Sequence, residues 1–475
     1  MRRGERSSCP SPPCDTIERS GFSPRLSRRE PSVAEHPSDT SDSRCDLLLS
    51  GGAIITMDDE RRILEPGAVA VTGDRISAVG SPTDLGHLSA ARTIDCRGSA
   101  VIPGFVSAHD HLFQNAARGW GEGVDFRVWL PDFMFPLALN MTRDEAVAAV
   151  TMTIVEQVRT GTTAVLDHHY AGTDVETTLA VAEAVERVGM RGAIGRGLGR
   201  EQPYPPSEQF DMMAAAIDAR PAGSKVEVWP APGDIIYNDQ DFVAASVQLA
   251  RDKGVGWHTH CSQYKTDPDV YLAEHGIRPV LWLHEAGLLG PDGHFAHMIF
   301  LDDEEVARAG ECNAAIAYCP ISHGVFGLGT MRLAELRAAG AIIGLGYDGA
   351  VAGFRNDMFE QMKMAVMIQR LKAMDPTLSG PAEALELATR EGARFMGIDA
   401  GVLAPGKLAD IAVVSLQGAH MTPRPAPVAA VAYSARSSDV QLTIVGGEVV
   451  FENGVCTRVD EAEVRAEAEA AAERL

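Results

Sequence analysis

A chain of 475 residues, 45% hydrophobic and 6% aromatic, is long enough for one large globular domain and a smaller companion. Its 65 acidic against 42 basic residues leave a formal charge of −23, which argues against nucleic acid or an anionic membrane as partner and favours a small uncharged or cationic substrate. The eight cysteines (Cys9, Cys14, Cys45, Cys96, Cys261, Cys312, Cys319, Cys456) lack CxxC spacing or a disulfide framework. With no stretch of roughly 18 consecutive apolar residues and no apolar secretory segment, the expectation is a cytoplasmic protein with reduced thiols.

Residues 1–44, rich in Arg, Ser and Pro, read as a disordered extension, and the acids Glu5, Asp15, Glu18 and Glu30 argue against a transit peptide. From Asp46 onward, short apolar runs at 47–50, 53–57, 68–71 and 75–79 are punctuated by Gly and Asp and predict the first part of a small β-sandwich over 45–100. The same texture returns at 410–414 and 442–450, so both chain ends are expected to build one domain, its second part spanning 401–458.

The apolar run 100–106 leads into His109-Asp110-His111. Side chains alternate along a strand, so two imidazoles one residue apart at its tip face the same way and can hold one metal ion. Taken alone, the tripeptide also suits a hydrated loop. Beyond it, strands at 164–167, 192–194, 226–229, 256–260, 293–297, 314–318 and 341–347 alternate with helical stretches such as 143–160, 175–188 and 208–219. With the strand before His109 these make eight, the pattern of an α/β fold with a (β/α)8 TIM barrel over 101–400, whose active site forms at the C-terminal strand ends. His109 and His111 end strand one, His260 strand five, His297 strand six and Asp348 strand eight. Individually each is readily a structural residue; jointly, at successive strand tips, they predict a metal site.

These motifs resemble the amidohydrolase superfamily, in particular its aminohydrolase group of guanine, cytosine and S-adenosylhomocysteine deaminases and triazine hydrolases. The resemblance is carried by Pro103-Gly104-Phe105-Val106-Ser107-Ala108-His109-Asp110-His111, Gly161-Thr162-Thr163, His258-Thr259-His260, His297, Cys319-Pro320-Ile321-Ser322 and Gly346-Tyr347-Asp348-Gly349. Pro405-Gly406-Lys407-Leu408-Ala409-Asp410 and Gly446-Gly447-Glu448-Val449-Val450 extend it into the closing segment. It implies one divalent metal ion, zinc by preference with iron, cobalt or manganese as alternatives, held by His109, His111, His260 and Asp348. The ion would lower the pKa of a bound water to make the nucleophile. Asp348 would also take the water's proton, and His297 would polarise the attacked centre. Of His258 and His260 the resemblance selects His260, because the family's ligand stands three residues before a characteristic polar residue, here Gln263. No strand-tip lysine suggests a second metal.

Gln263 is a departure, since the deaminases usually carry glutamate there, and glutamine exchanges no proton at a useful pKa. Ordinary deamination is thereby put in doubt unless His297 or His323 takes over the proton transfer, and carbamates, thiocarbamates, ureas or activated heterocycles with a good leaving group stay open. His323 also departs, where relatives have asparagine, and either contacts substrate or satisfies a loop carbonyl. Gln114 and His169 complete the expected substrate contacts, with His168-His169 counted as one inward and one outward residue. Trp120, Trp129, Phe133 and Phe135 form either a lid or core, with core slightly favoured. Residues 459–475 read as a solvated terminal helix. The expected function is hydrolysis of a non-peptide C–N or similar leaving-group bond in a small neutral molecule, by deamination of an N-heterocycle or cleavage of a urea, carbamate or amide type. The competing reading is a non-catalytic barrel acting as an assembly scaffold. A homo-oligomer, dimer or larger, is expected, with neither nucleic acid nor membrane as partner.

Overall fold

A computed structural model describes residues 44–475. The expected extension at 1–44 lies outside the described residues, except for Arg44, which already belongs to β1 (Arg44–Ile55). Four strands follow: β2 (Ile63–Thr72), β3 (Arg75–Gly80), β4 (Ser89–Asp95) and β5 (Ser99–Pro103). Next come β6 (Phe105–His111), β7 (Thr162–His169), β8 (Arg191–Leu198) and β9 (Val226–Pro232). They are succeeded by β10 (Trp257–Cys261), β11 (Gly293–His297), β12 (Ala315–Tyr318), β13 (Ile342–Leu345) and the short β14 (Asp348–Gly349). The last four are β15 (Ile411–Ser415), β16 (Val440–Val445), β17 (Glu448–Glu452) and β18 (Val455–Cys456).

Strands from both chain ends share one sheet. The strands expected to build a small β-sandwich are hydrogen-bonded into one nine-stranded network, in which β1 changes partners along its length. Its first half pairs in parallel with β4 and its second half with β5, and the change falls at Gly51-Gly52, where Gly51 has φ +90°. β15 then joins β5 antiparallel. Leu49, Ile54, Val69, Val101, Ile411 and Ile444 are fully buried in its core.

The apolar run 100–106, read as one strand, is two. Gly104 divides β5, which belongs to the nine-stranded sheet, from β6, which opens the parallel strands. A Cβ at Gly104 would come within 2.2 Å of Thr163 Cγ2, so no larger residue fits this crossing.

β14 with β6 to β9, and β10 to β13, form two parallel sheets whose strands alternate with helices along most of the chain. Between β9 and β10, His260 N donates to Gly233 O at 3.0 Å and Ile235 N to His260 O at 3.3 Å; beyond β13, Tyr347 N donates to His109 O at 3.0 Å. Burial on both faces explains why these strands read as continuous apolar runs rather than alternating ones: every residue of β6 and β7 is buried. The helix Arg143–Arg159 starts where it does because Thr142 and Glu145 form a capping box. The terminal helix Glu461–Arg474 is less solvated than its composition suggests, since Val464 and Ala471 are buried and Glu461 pairs with Arg159 at 2.8 Å. No helix among the described residues is long and apolar enough to cross a membrane.

Candidate metal centre

Alternation along β6 turns His109 and His111 to one side and Asp110 to the other. Asp110 stays buried outside the cluster, its carboxylate accepting His111 N at 2.8 Å and Gln157 Nε2 at 2.6 Å. The tips of β10, β11 and β14 bring in His260, His297 and Asp348. Ring centroids of His109 and His111 lie 4.8 and 5.3 Å from that of His260, and Asp348 Oδ1 lies 3.7 and 3.5 Å from their Nε2 atoms. His297, at 5.3 Å from His260, closes the group. His297 has φ +76° and Asp348 φ +61°. Such left-handed backbone costs a non-glycine residue about 1–3 kcal/mol and is found where geometry is imposed by a site.

Hydrogen bonds behind the rings determine which nitrogens are free. His111 Nδ1 faces His168 O at 2.8 Å, and His260 Nδ1 faces Gly233 O at 3.0 Å. A carbonyl only accepts, so both Nδ1 atoms carry the proton and both Nε2 atoms keep a lone pair. The same logic runs one residue further for His109. His258 Nδ1 donates to His294 O at 2.7 Å, so its Nε2 must accept from His109 Nδ1 at 3.0 Å. His109 Nε2 is thereby left as a lone pair, buried and without a partner. His109, His111 and Asp348 offer ligand atoms within 4.8 Å of one another, and so do His111, His260 and His168; such donors suit a divalent cation and would be costly without one. Burial, with neighbouring imidazoles, holds His109 well below its ordinary pKa and brings His260 down to about 4, so these two rings are neutral at pH 7. His258 spends both nitrogens inside the protein, which distinguishes its part from that of His260.

Asp348 is held from behind as well. Ser322 Oγ donates to Oδ2 at 2.5 Å, and Gly349 N to Oδ1 at 2.9 Å. His297 Nδ1 lies 3.1 Å from His323 Nε2, while its own Nε2 is buried without a partner.

The cluster forms one end of a cavity walled by Phe126, Trp129, Leu130, Phe135, Tyr170 and Phe326. Its free volume is about 60 Å³, room for several waters. Trp129 and Phe326 pack at 4.9 Å and Phe126 and Phe326 at 5.7 Å, forming a cover over the donors. Among the four aromatics weighed as lid or core, Trp129 and Phe135 line the cavity, whereas Trp120 and Phe133 are exposed. A wider hollow of about 610 Å³, bordered by Arg159, Asn356 and Gln441, contains none of the clustered donors.

Of the expected substrate contacts, Gln114 and Gln263 line the cavity, and Gln114 Nε2 donates to Tyr170 OH at 3.0 Å. His323 does not line it; the short helix Pro320–Val325 puts this residue behind His297. His169 does not line it either. Asp110 and Asp167 are in register on β6 and β7, so His168 shares the inward face with His111 while His169 turns outward to Asp167 and Phe113. His168 takes the cavity position, close enough that its donor atoms and those of His111 and His260 lie within 4.8 Å of one another. Sequence reasoning missed the supporting parts of His258 and Ser322, although both stand inside the quoted motifs. It also missed Tyr170, Glu201, Asp234 and Tyr237 on the cavity wall.

A model of the amidohydrolase family matches residues 100–450. A 5-methylthioadenosine/S-adenosylhomocysteine deaminase from Natronomonas pharaonis is 31% identical over 433 residues, covering 90% of this chain and 98% of that protein. A zinc-bound adenosine deaminase from Xanthomonas campestris superposes with a TM-score of 0.86 at 25% identity, over 91% of this chain and 98% of that one. The zinc complex of an atrazine chlorohydrolase from Arthrobacter aurescens gives 0.81 at 25% identity, over 90% and 100%.

Proposed function

Because the chain belongs to the amidohydrolase family, and is a metal-dependent hydrolase of carbon–nitrogen bonds other than peptide bonds, we propose that it displaces a substituent from a ring carbon of a small N-heterocycle. In this reading the parallel strands form a (β/α)8 barrel, and His109, His111, His260 and Asp348 hold one divalent ion, zinc by preference. The observation that carries it is the group His109, His111 and Asp348, whose ligand atoms lie within 4.8 Å of one another, with the His260 ring beside them at the end of an aromatic-walled cavity.

A bound cation supplies an acidified water and polarises the attacked group. The chain's residues do the rest. Asp348, with one donor on each oxygen from Ser322 and Gly349, is oriented to take a proton on a remaining lone pair. His297, set by His323, presents Nε2 to the reacting substituent. Gln263 hydrogen-bonds the ring without exchanging a proton. The aromatic cover excludes bulk water and strengthens each polar contact beneath it.

The neutral Gln263 beside the donors favours leaving groups that need little protonation. A panel of aminopurines, alkylaminotriazines and chlorotriazines, assayed for ammonia, amine and chloride, tests this. Gln263→Glu should raise ammonia release by about a hundredfold, the lower end of general acid–base effects, and no change would mean that the neutral side chain of Gln263 does not limit proton transfer. Chelation should abolish turnover and added zinc restore it; turnover surviving complete metal removal refutes the proposal.

A further inference from the structure

Glu201 and Asp234 both line the substrate cavity. Asp234 Oδ1 accepts the nearby Ile236 N–H at 3.1 Å. Among the described residues no lysine or arginine lines this cavity. The cations carried by adjacent segments are engaged elsewhere: Arg127 lies over the Tyr264 ring at 4.4 Å, Arg196 donates to Thr173 O at 2.6 Å, and Arg200 pairs with Asp239 at 2.5 Å. A second observation points to a ligand in the same space. His168, only 3% exposed, lines the cavity with both ring nitrogens unpartnered.

We propose that Glu201 and Asp234 form a cation subsite, so that the preferred substrate is an N-heterocycle whose side group carries a protonated amine or amidine. The inference rests on the heterocycle reading above. Carboxylates facing a shielded cavity without a counter-charge are costly, and a ligand cation supplies the missing partner. An anionic side group finds two carboxyls and neither lysine nor arginine in the lining, and so no charged partner. His168 adds a hydrogen-bonding site of fixed direction beside the ring.

The test uses three aminotriazines matched in ring and size, with an aminoethyl, hydroxyethyl or carboxymethyl side group. Methyl analogues lacking the leaving group are titrated into the zinc-loaded protein by calorimetry, and chloro analogues are assayed for turnover. The aminoethyl compound should bind about tenfold tighter than the hydroxyethyl one and the carboxymethyl compound about tenfold weaker, a spread that shrinks as salt is raised. In the Glu201→Gln/Asp234→Asn double variant, with zinc content and circular dichroism matching wild type, the three affinities should converge to within about threefold. If that variant does not fold, the single variants should each narrow the spread. Equal affinities in the wild type, or a spread unchanged in the variants, overturns the subsite. Charge-ordered binding without turnover of any compound refutes the heterocycle reading instead, and turnover without charge order refutes the subsite alone.

Discussion

His258→Leu is the most direct test of how the donor set is built. The substitution removes the acceptor for His109 Nδ1–H, at 3.0 Å, and the donor to His294 O, at 2.7 Å, in a site with no solvent access. Two effects follow and can be separated. The first concerns the metal: losing the group that orients a ligand histidine typically costs about 10–100-fold in affinity, or about 1.4–2.7 kcal/mol. The second concerns the fold: the stranded N–H and carbonyl cost about 1–3 kcal/mol each when buried without water. Zinc affinity by chelator competition reads the first, and thermal melting of the metal-free protein reads the second. Cobalt substitution adds a spectrum sensitive to the geometry around the ion. His258→Gln, whose amide oxygen can accept from His109, should recover part of the affinity. If metal-free His258→Leu stays folded and binds zinc within about twofold of wild type, His258 does not orient His109, and the reasoning about its tautomer is wrong.

Ser322→Ala removes the 2.5 Å bond to Asp348 Oδ2. A hydrogen bond to a buried carboxylate is worth about 1.5–3 kcal/mol, so kcat should fall about tenfold or more while zinc content and KM change little; an unaltered kcat would show that Asp348 needs no such support. His323 is held down to about 4 by burial, with Asp348 pulling the other way. Its folded value lies below the unfolded one near 6.5, so protonation favours unfolding, and the stabilisation present above pH 6.5 is lost as pH falls toward 4. The melting temperature of the metal-free wild type relative to His323→Asn should therefore drop between pH 7 and pH 4, equivalent to about 3 kcal/mol; a flat or rising difference would contradict the burial of a neutral imidazole.

What could be read from the sequence follows from what burial does to a strand. Parallel strands covered on both faces become apolar runs, and polar residues reappear where the strand ends, so both the eight runs and the histidines and aspartate at their tips are legible. The same continuity hid the break at Gly104: β5 and β6 are equally apolar, and only the close approach of Thr163 reveals that the chain changes sheets there. Choosing between His168 and His169 needed the register of β7 on β6, a relation between segments more than fifty residues apart that neither segment encodes alone. His323 and Glu201 were harder still, because one sits on the short helix Pro320–Val325 after β12 and the other in the turn after β8, and the direction of such side chains depends on what packs against them. His258 shows the limit most clearly. As a residue type on the same face of β10 it is as plausible a ligand as His260, and a carbonyl stands behind each ring, that of His294 for one and of Gly233 for the other. Both rings place Nδ1 against a carbonyl, yet His258 Nε2 meets His109 while His260 Nε2 is free to face the cluster. The ligand and its support are thus distinguished by the partner of the second nitrogen, a property of three-dimensional packing on which spacing is silent.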